Sequence, residues 1–176
     1  METMTFEELL EINCYSKDES EKAKAVELLE KWFGCEIQCE QIDRSVLFAH
    51  HARGCTIVAA KLSQGVVIYQ NVTLGSNMRY NNIQNNWENM GSPILAENVI
   101  VADGAKILGP VTIGKNTVVG AGAIITKDIP ENSIAFGVNQ YKSKNPAYDL
   151  VFKQPMPSGE EIIEVDRQRI REFDNQ

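Results

Sequence analysis

From Leu95 to Pro130, apolar and polar positions recur with a period of six, dividing the chain into LAENVI, VADGAK, ILGPVT, IGKNTV, VGAGAI and ITKDIP. An aliphatic residue opens each block (Leu95, Val101, Ile107, Ile113, Val119, Ile125), and the fifth place holds Val99, Ala105, Val111, Thr117, Ala123 and Ile129. The same register runs upstream through LSQGVV from Leu62, IYQNVT from Ile68 and LG from Leu74. An α-helix repeats every 3.6 residues and a strand every two, so strict blocks of six fit neither alone. A short strand followed by a turn fits, and three such units make one triangular coil of a parallel β-helix. Each opening residue then points inward onto its equivalents in the neighbouring coils, while glycine, asparagine and aspartate supply the corners.

Two interruptions break the phase. From Phe48 to Thr56 there are eight residues where six are expected, and the surplus falls in the stretch that carries His50 and His51. Between Leu74 and Leu95 the polar segment GSNMRYNNIQNNWENMGSP replaces regular repeat and is expected to leave the coil as a loop, 75–93. Excursions from a rigid scaffold are where sites are usually built.

The ends of the chain follow a different period. TFEE and SKDE both read as capping boxes, introducing a helix near Phe6 to Ile12 and a longer one from about Asp18 to Phe33, closed by Gly34. Val26, Leu29, Trp32 and Phe33 form the apolar face of the second helix, and SGEEIIEVDRQRIREF predicts a last helix near the C-terminus. These helices are expected to cover the open ends of the coil, whose strand edges and apolar stack need covering. The expected organisation is a helical cap over 1–40, a β-helix over 41–141 and a C-terminal tail and helix over 142–176.

A length of 176 residues suits one sizeable domain. A net charge of −7 argues against sequence-independent binding to nucleic acid, which needs a basic face. No apolar run approaches membrane-spanning length, and the acidic N-terminus METMTFEELLEINC is unlike a signal peptide, so a cytoplasmic location away from membranes is expected. Cys14, Cys35, Cys39 and Cys55 have no zinc-like spacing and are expected to be reduced thiols; no metal is expected.

The stretches QNVTLG (70–75), GAKILGPVTIG (104–114), VVGAGAIITKDIP (118–130) and FGV from Phe136 resemble the hexapeptide-repeat acyltransferases, and among them the serine O-acetyltransferases most closely. That resemblance, which spans residues 42–141, implies a mainly β fold, a left-handed parallel β-helix of hexapeptide repeats, here with short N-terminal and C-terminal helices. It also implies transfer of an acetyl group from acetyl-CoA to the hydroxyl of a small-molecule acceptor by a homotrimer whose sites lie between neighbouring coils. In the family a histidine stands twenty residues before the glutamine of Q-x-V-T-L-G. Counting back from Gln70 without a gap reaches His50; a shift of one reaches His51, where HARG matches the family wording better. His50 is preferred as general base because the gapless register also aligns Ile42, Leu62, Val66 and Ile68, and imidazole is the side chain suited to deprotonating an alcohol near neutral pH. Coenzyme A contacts are carried by the resemblance onto Asp103 and Gly104, Ala121 and Gly122, and Thr126 and Lys127. Lys106, Lys115, Lys127, Lys142 and Lys144 gather in the C-terminal half, where anionic phosphates would be welcome.

The departures from the family concern the acceptor. Ala49 stands where an aspartate precedes the histidine, Gly91-Ser92-Pro93 replaces an arginine-histidine-proline element, and Asn139-Gln140-Tyr141 replaces the Pro-Ala-Arg ending. A pocket rebuilt around Ser92 and Trp87 points to a sugar or another hydroxylated metabolite. The alternative is a non-catalytic β-helix that serves assembly. A zinc carbonic anhydrase of similar fold would need three separated histidine ligands, and this chain has two, adjacent to one another.

Overall fold

The chain divides into two compact units, Met1–Lys144 and Asn145–Gln176. A computed structural model describes residues 4 to 145 and, beyond them, Ile163, Arg167 and Arg171, which are helical and exposed. The rest of the expected C-terminal helix, and its covering of a coil end, lie outside the described residues.

The first unit is a left-handed parallel β-helix headed by two helices, α1 (Phe6–Tyr15) and α2 (Glu19–Phe33). The opening residues of the blocks form three inward columns, each pairing in register with the coil above and below. One runs Leu62, Leu95, Ile113. The second runs Phe48, Ile68, Val101, Val119, Ala135. The third runs Ile57, Leu74, Ile107, Ile125. All but Phe48 are fully shielded from solvent, so the coil is held by a continuous aliphatic stack; a buried side chain of this size contributes about 2 kcal/mol. The period fails at its last block: Ile129, four residues after Ile125 instead of six, bridges to Ile113 and acts as an inward column residue.

At the top of the coil, strand β1 (Glu36–Ile42) pairs in parallel with Thr56–Leu62, so the coil begins before residue 41. α1 starts at the expected capping box, with the Glu8 N–H donating to Thr5 Oγ1 and the Thr5 N–H to Glu8 Oε2. The second expected box does not form. Asp18 caps α2 by accepting from the Ser20 and Glu21 N–H groups, while Ser16 Oγ accepts from the Asp18 N–H and donates to Glu21. Gly34 closes α2 in the left-handed conformation at φ 65. The helix buries Ala25 and Leu29, and Trp32 is 43% exposed, so the apolar face is turned from the expected one. Phe6 and Leu9 join these residues on top of the coil core.

The 75–93 excursion is a β-hairpin. Asn77–Asn81 and Asn86–Gly91 pair antiparallel, placing Tyr80 opposite Trp87 and Arg79 opposite Glu88. No described helix is long and apolar enough to cross a membrane.

Candidate active site

The two histidines sit on a bulge inserted at one corner of the first coil. From Phe48 the next inward residue is Ile57, because Thr56 is exposed; the interval is therefore nine residues, and the following one, Ile57 to Leu62, is five. Backbone hydrogen bonds locate the surplus. The Asn71 N–H donates to the Arg53 carbonyl (2.9 Å), as the Gly104 N–H donates to Gln70 (3.2 Å) and the Gly122 N–H to Asp103 (2.9 Å). Arg53, Gln70 and Asp103 thus hold equivalent places, and the three residues left over between Ala49 and Arg53 are His50, His51 and Ala52. These three share left-handed backbone angles, φ 55, 54 and 52.

Such angles cost a non-glycine residue on the order of 1 kcal/mol each, and persist only where the surroundings impose them. Here Ala52 is fully buried, the Arg53 N–H donates to the His50 carbonyl, and the Cys55 N–H donates to the Ala52 carbonyl at 2.9 Å. The Cys55 thiol donates to the Tyr69 carbonyl at 3.2 Å, tying the bulge to the coil below.

The bulge sends its imidazoles to opposite sides. The His50 ring lies 6.3 Å from the Tyr69 ring, on the side of the lower coils. The His51 ring lies 5.5 Å from Phe6 and 5.8 Å from Phe33, against the helical cap. Among the described residues no hydrogen bond fixes either imidazole, and Ala49 offers no carboxylate. The gapless count of twenty crosses both the long and the short interval, so the count by itself does not choose between the histidines.

Below His50, the same corner passes through Asn71, Gly104 and Gly122, all with positive φ. Asn71 Nδ2 donates to Asp103 Oδ1 at 3.0 Å. A Cβ added at Gly122 would meet nothing within 4 Å, and one at Gly104 only the backbone of Gly122 at 3.9 Å. The edge is open, and a chain-like ligand can lie against its backbone. His50, Asp103, Gly104, Ala121 and Gly122 are therefore brought to one edge.

Thr126 and Lys127 are not on it. They lie at the corner between the third and first columns, where Asn139 accepts from the Thr126 N–H (2.7 Å) and donates to its hydroxyl (2.9 Å). The hairpin leaves the coil at this same corner, with Ser92 half-buried at its foot and Trp87 66% exposed, its ring 5.5 Å from that of Tyr80. Within one chain, the Ser92 and Trp87 pair and the His50 edge are separate. The five lysines are dispersed as well: Lys106 Nζ donates to Thr73 Oγ1, Lys115 pairs with Glu131, and Lys142 is on the terminal strand.

Three residues of the His50 edge escaped the sequence reading. Tyr69 faces the His50 ring, exposed Arg53 follows the bulge, and Gln70 keeps a buried Oε1 with no hydrogen-bond partner. Only Gln70 had a signal, as the residue from which the count began. Burial pushes the Cys14 thiol up to about 12, the Cys35 thiol to about 11, and the Cys55 thiol upward. A depression of about 550 Å³ lies beside Tyr15, Glu40, Asp43 and Glu97, and includes none of the candidate residues.

Comparison with known proteins agrees with the repeat. The family described as bacterial transferase hexapeptide (six repeats) matches residues 92–127. A putative serine acetyltransferase of Schizosaccharomyces pombe is 36% identical over 124 residues, which are 68% of this chain and 43% of that protein. The chain thus spans less than half the length of this curated relative. A solved serine acetyltransferase in complex with cysteine superposes with a TM-score of 0.64 at 25% identity, covering 81% of this chain and 55% of that one. A serine acetyltransferase in complex with CoA does so with a TM-score of 0.57 at 25% identity, covering 75% and 52%.

Proposed function

The chain belongs to the hexapeptide-repeat acyltransferase superfamily and is serine O-acetyltransferase-like, and from that premise we propose that it is a cytoplasmic, acetyl-CoA-dependent O-acetyltransferase acting on a small hydroxylated metabolite. The observation that carries this reading is the three-residue bulge that turns His50 toward the coils bearing Asp103, Gly104, Ala121 and Gly122. A scaffold has no use for strained residues above an open edge.

His50 takes the proton of the acceptor hydroxyl, and the oxygen attacks the thioester carbonyl as the thiolate of coenzyme A leaves. The thiolate is a good leaving group, so no acyl-enzyme is needed, and the raised thiol of Cys55 makes it a poor candidate for one. The pantetheine arm lies against Gly104 and Gly122, where backbone can approach closely.

Because Thr126, Lys127, Ser92 and Trp87 stand at the next corner, they complete the site of a neighbouring subunit in a homotrimer. Exposed Ile94, Leu108, Ile124 and Val138 are the apolar surface such a neighbour would cover. Gly91-Ser92-Pro93 at the acceptor end stands where the family has an arginine-histidine-proline element, and the loss of that arginine and histidine favours a sugar or a similar polyol over an amino acid.

The test is thiol release from acetyl-CoA with serine, homoserine, hexoses and amino sugars as acceptors. The expected outcome is turnover that falls by about 10²- to 10⁴-fold in His50→Gln, the usual contribution of a general base. Turnover of no acceptor would leave the assembly role standing, and serine far ahead of the others would refute the altered pocket.

A further inference from the structure

We propose that His51 is a positioning residue, an aromatic anchor that aims His50, which makes the helical cap part of the catalytic apparatus. The inference rests on the reading of His50 as the base.

A base on a bulge needs something to hold its direction, and among the described residues neither imidazole has a hydrogen bond to do so. What the bulge has instead is a nest of rings. Phe6 of α1, almost fully buried, stands edge-on to Phe33 at the end of α2 (5.3 Å) and to Phe48 (6.4 Å). Phe48 is the inward residue two places before His50, paired with Ile68 in the coil below. The His51 ring adds itself to Phe6 and Phe33 as a fourth member. One cluster therefore joins both helices, the first coil and the bulge.

The backbone converts that contact into aim. His50 and His51 have nearly identical left-handed angles (φ 55, ψ 33 and φ 54, ψ 40), and Ala52, next to them, is sealed in the core. Although the His51 ring keeps one exposed side, Phe48, buried two places before His50, and the His51 ring and sealed Ala52 after it bracket the His50 backbone and limit how far its Cα–Cβ direction can swing. It faces Tyr69 because its neighbour faces the cap.

An anchor of this kind uses the shape of the ring and not its nitrogens, the opposite of what a base requires. His51→Phe should keep kcat within about three-fold of the wild type, whereas His51→Ala should lower kcat by at least about thirty-fold with KM for acetyl-CoA within two-fold, as expected when a reacting group is misplaced. Phe33→Leu, remote from any substrate, should lower kcat by about five-fold in the same pattern; it stands in should phenylalanine at a left-handed position impair folding.

A readout independent of turnover comes from the chain's having only two histidines. Imidazole nitrogen NMR of the His51→Phe full-length protein reports His50 alone. One sharp set of signals is expected there, broadened in His51→Ala, which removes the contacts with both Phe6 and Phe33 and likewise leaves His50 as the sole histidine. Loss of turnover in His51→Phe equal to that in His50→Gln, with an ordered His50 ring, would overturn the proposal, as would full activity in His51→Ala. A His50→Gln protein that remains active while the NMR pattern holds would sink the assignment of the base and not the anchor.

Discussion

At the corner between the Leu62 and Ile68 columns, successive coils turn through Gly65, Asn98, Asn116 and Asn132; at the next corner they turn through Gly54, Asn71, Gly104 and Gly122. Both sets have positive φ, and both pass an N–H from coil to coil. The first corner continues in side chains. Asn98 Nδ2 donates to Asn116 Oδ1 (3.2 Å) and Asn116 Nδ2 to Asn132 Oδ1 (3.1 Å). It is closed above by Ser45, whose Oγ accepts from the Gly65 N–H, and below by the Lys144 N–H on the Asn132 carbonyl. The second has one such bond, Asn71 to Asp103, and then two bare glycines beneath a bulge of three residues. The same corner geometry serves cohesion where asparagines complete the ladder, and leaves an open edge where they stop, the edge proposed to bind coenzyme A.

The severest test of that contrast removes the bulge. Deleting residues 50–52 restores six residues between Phe48 and Ile57 and joins Ala49 to Arg53 in the register the hydrogen bonds already define. The protein should still melt cooperatively, because three strained residues go with the bulge, while acetyl transfer falls by about 10³-fold or more. An active deletion variant would show that the edge works without its histidines.

The complementary change damages only the closed corner. Asn116→Ala loses both side-chain hydrogen bonds and leaves alanine at φ 55, costing about 2 kcal/mol in denaturant unfolding with kcat unchanged. A fall in kcat in the folded protein would mean that the two corners are mechanically coupled.

A smaller effect is expected from making the open corner resemble the closed one. Asparagine tolerates left-handed angles, and space around Gly122 is free, so Gly122→Asn should fold normally. Its side chain would occupy the edge and raise KM for acetyl-CoA about ten-fold, a loss of roughly one binding contact. An unchanged KM would move coenzyme A off this edge.

What was legible in the sequence divides along the same line. The inward columns and the asparagine corners follow from a strict period, and each coil repeats the evidence for the last. The bulge does not repeat. Thr56 and Ile57 are both β-branched, and only packing shows that Ile57 is the inward one, so the interval reads as eight where it is nine. The compensating short interval at Ile57–Leu62 hides the slip from a count made across both. Which histidine faces the lower coils depends on Phe6 and Phe33, some forty-five and eighteen residues away in the chain, and no local pattern carries that information. The turn of α2 was misread for the same reason: Ala25 is buried and Trp32 exposed because of what the helix lies on.

The slightest effect belongs to the top of the closed corner. Ser45 donates through its hydroxyl to Asp43 Oδ1 (2.6 Å) and through its backbone N–H to the same oxygen (2.9 Å). These bonds hold the Asp43 carboxyl below its ordinary value of 3.8, the side-chain bond contributing most. A depressed carboxyl stabilises the fold fully above its unfolded pKa and ceases to do so as pH falls through the folded one. Ser45→Ala removes the side-chain bond and the acceptor of the Gly65 N–H, lowering Tm by about 1–2 °C at neutral pH. The difference from wild type should persist down to about pH 4, shrink as pH falls from there toward the depressed folded value, and level off below that value, where Asp43 is protonated in both proteins. A gap that stays constant into acid would assign the whole effect to the Gly65 bond, leaving the corner's closure to backbone and asparagines alone.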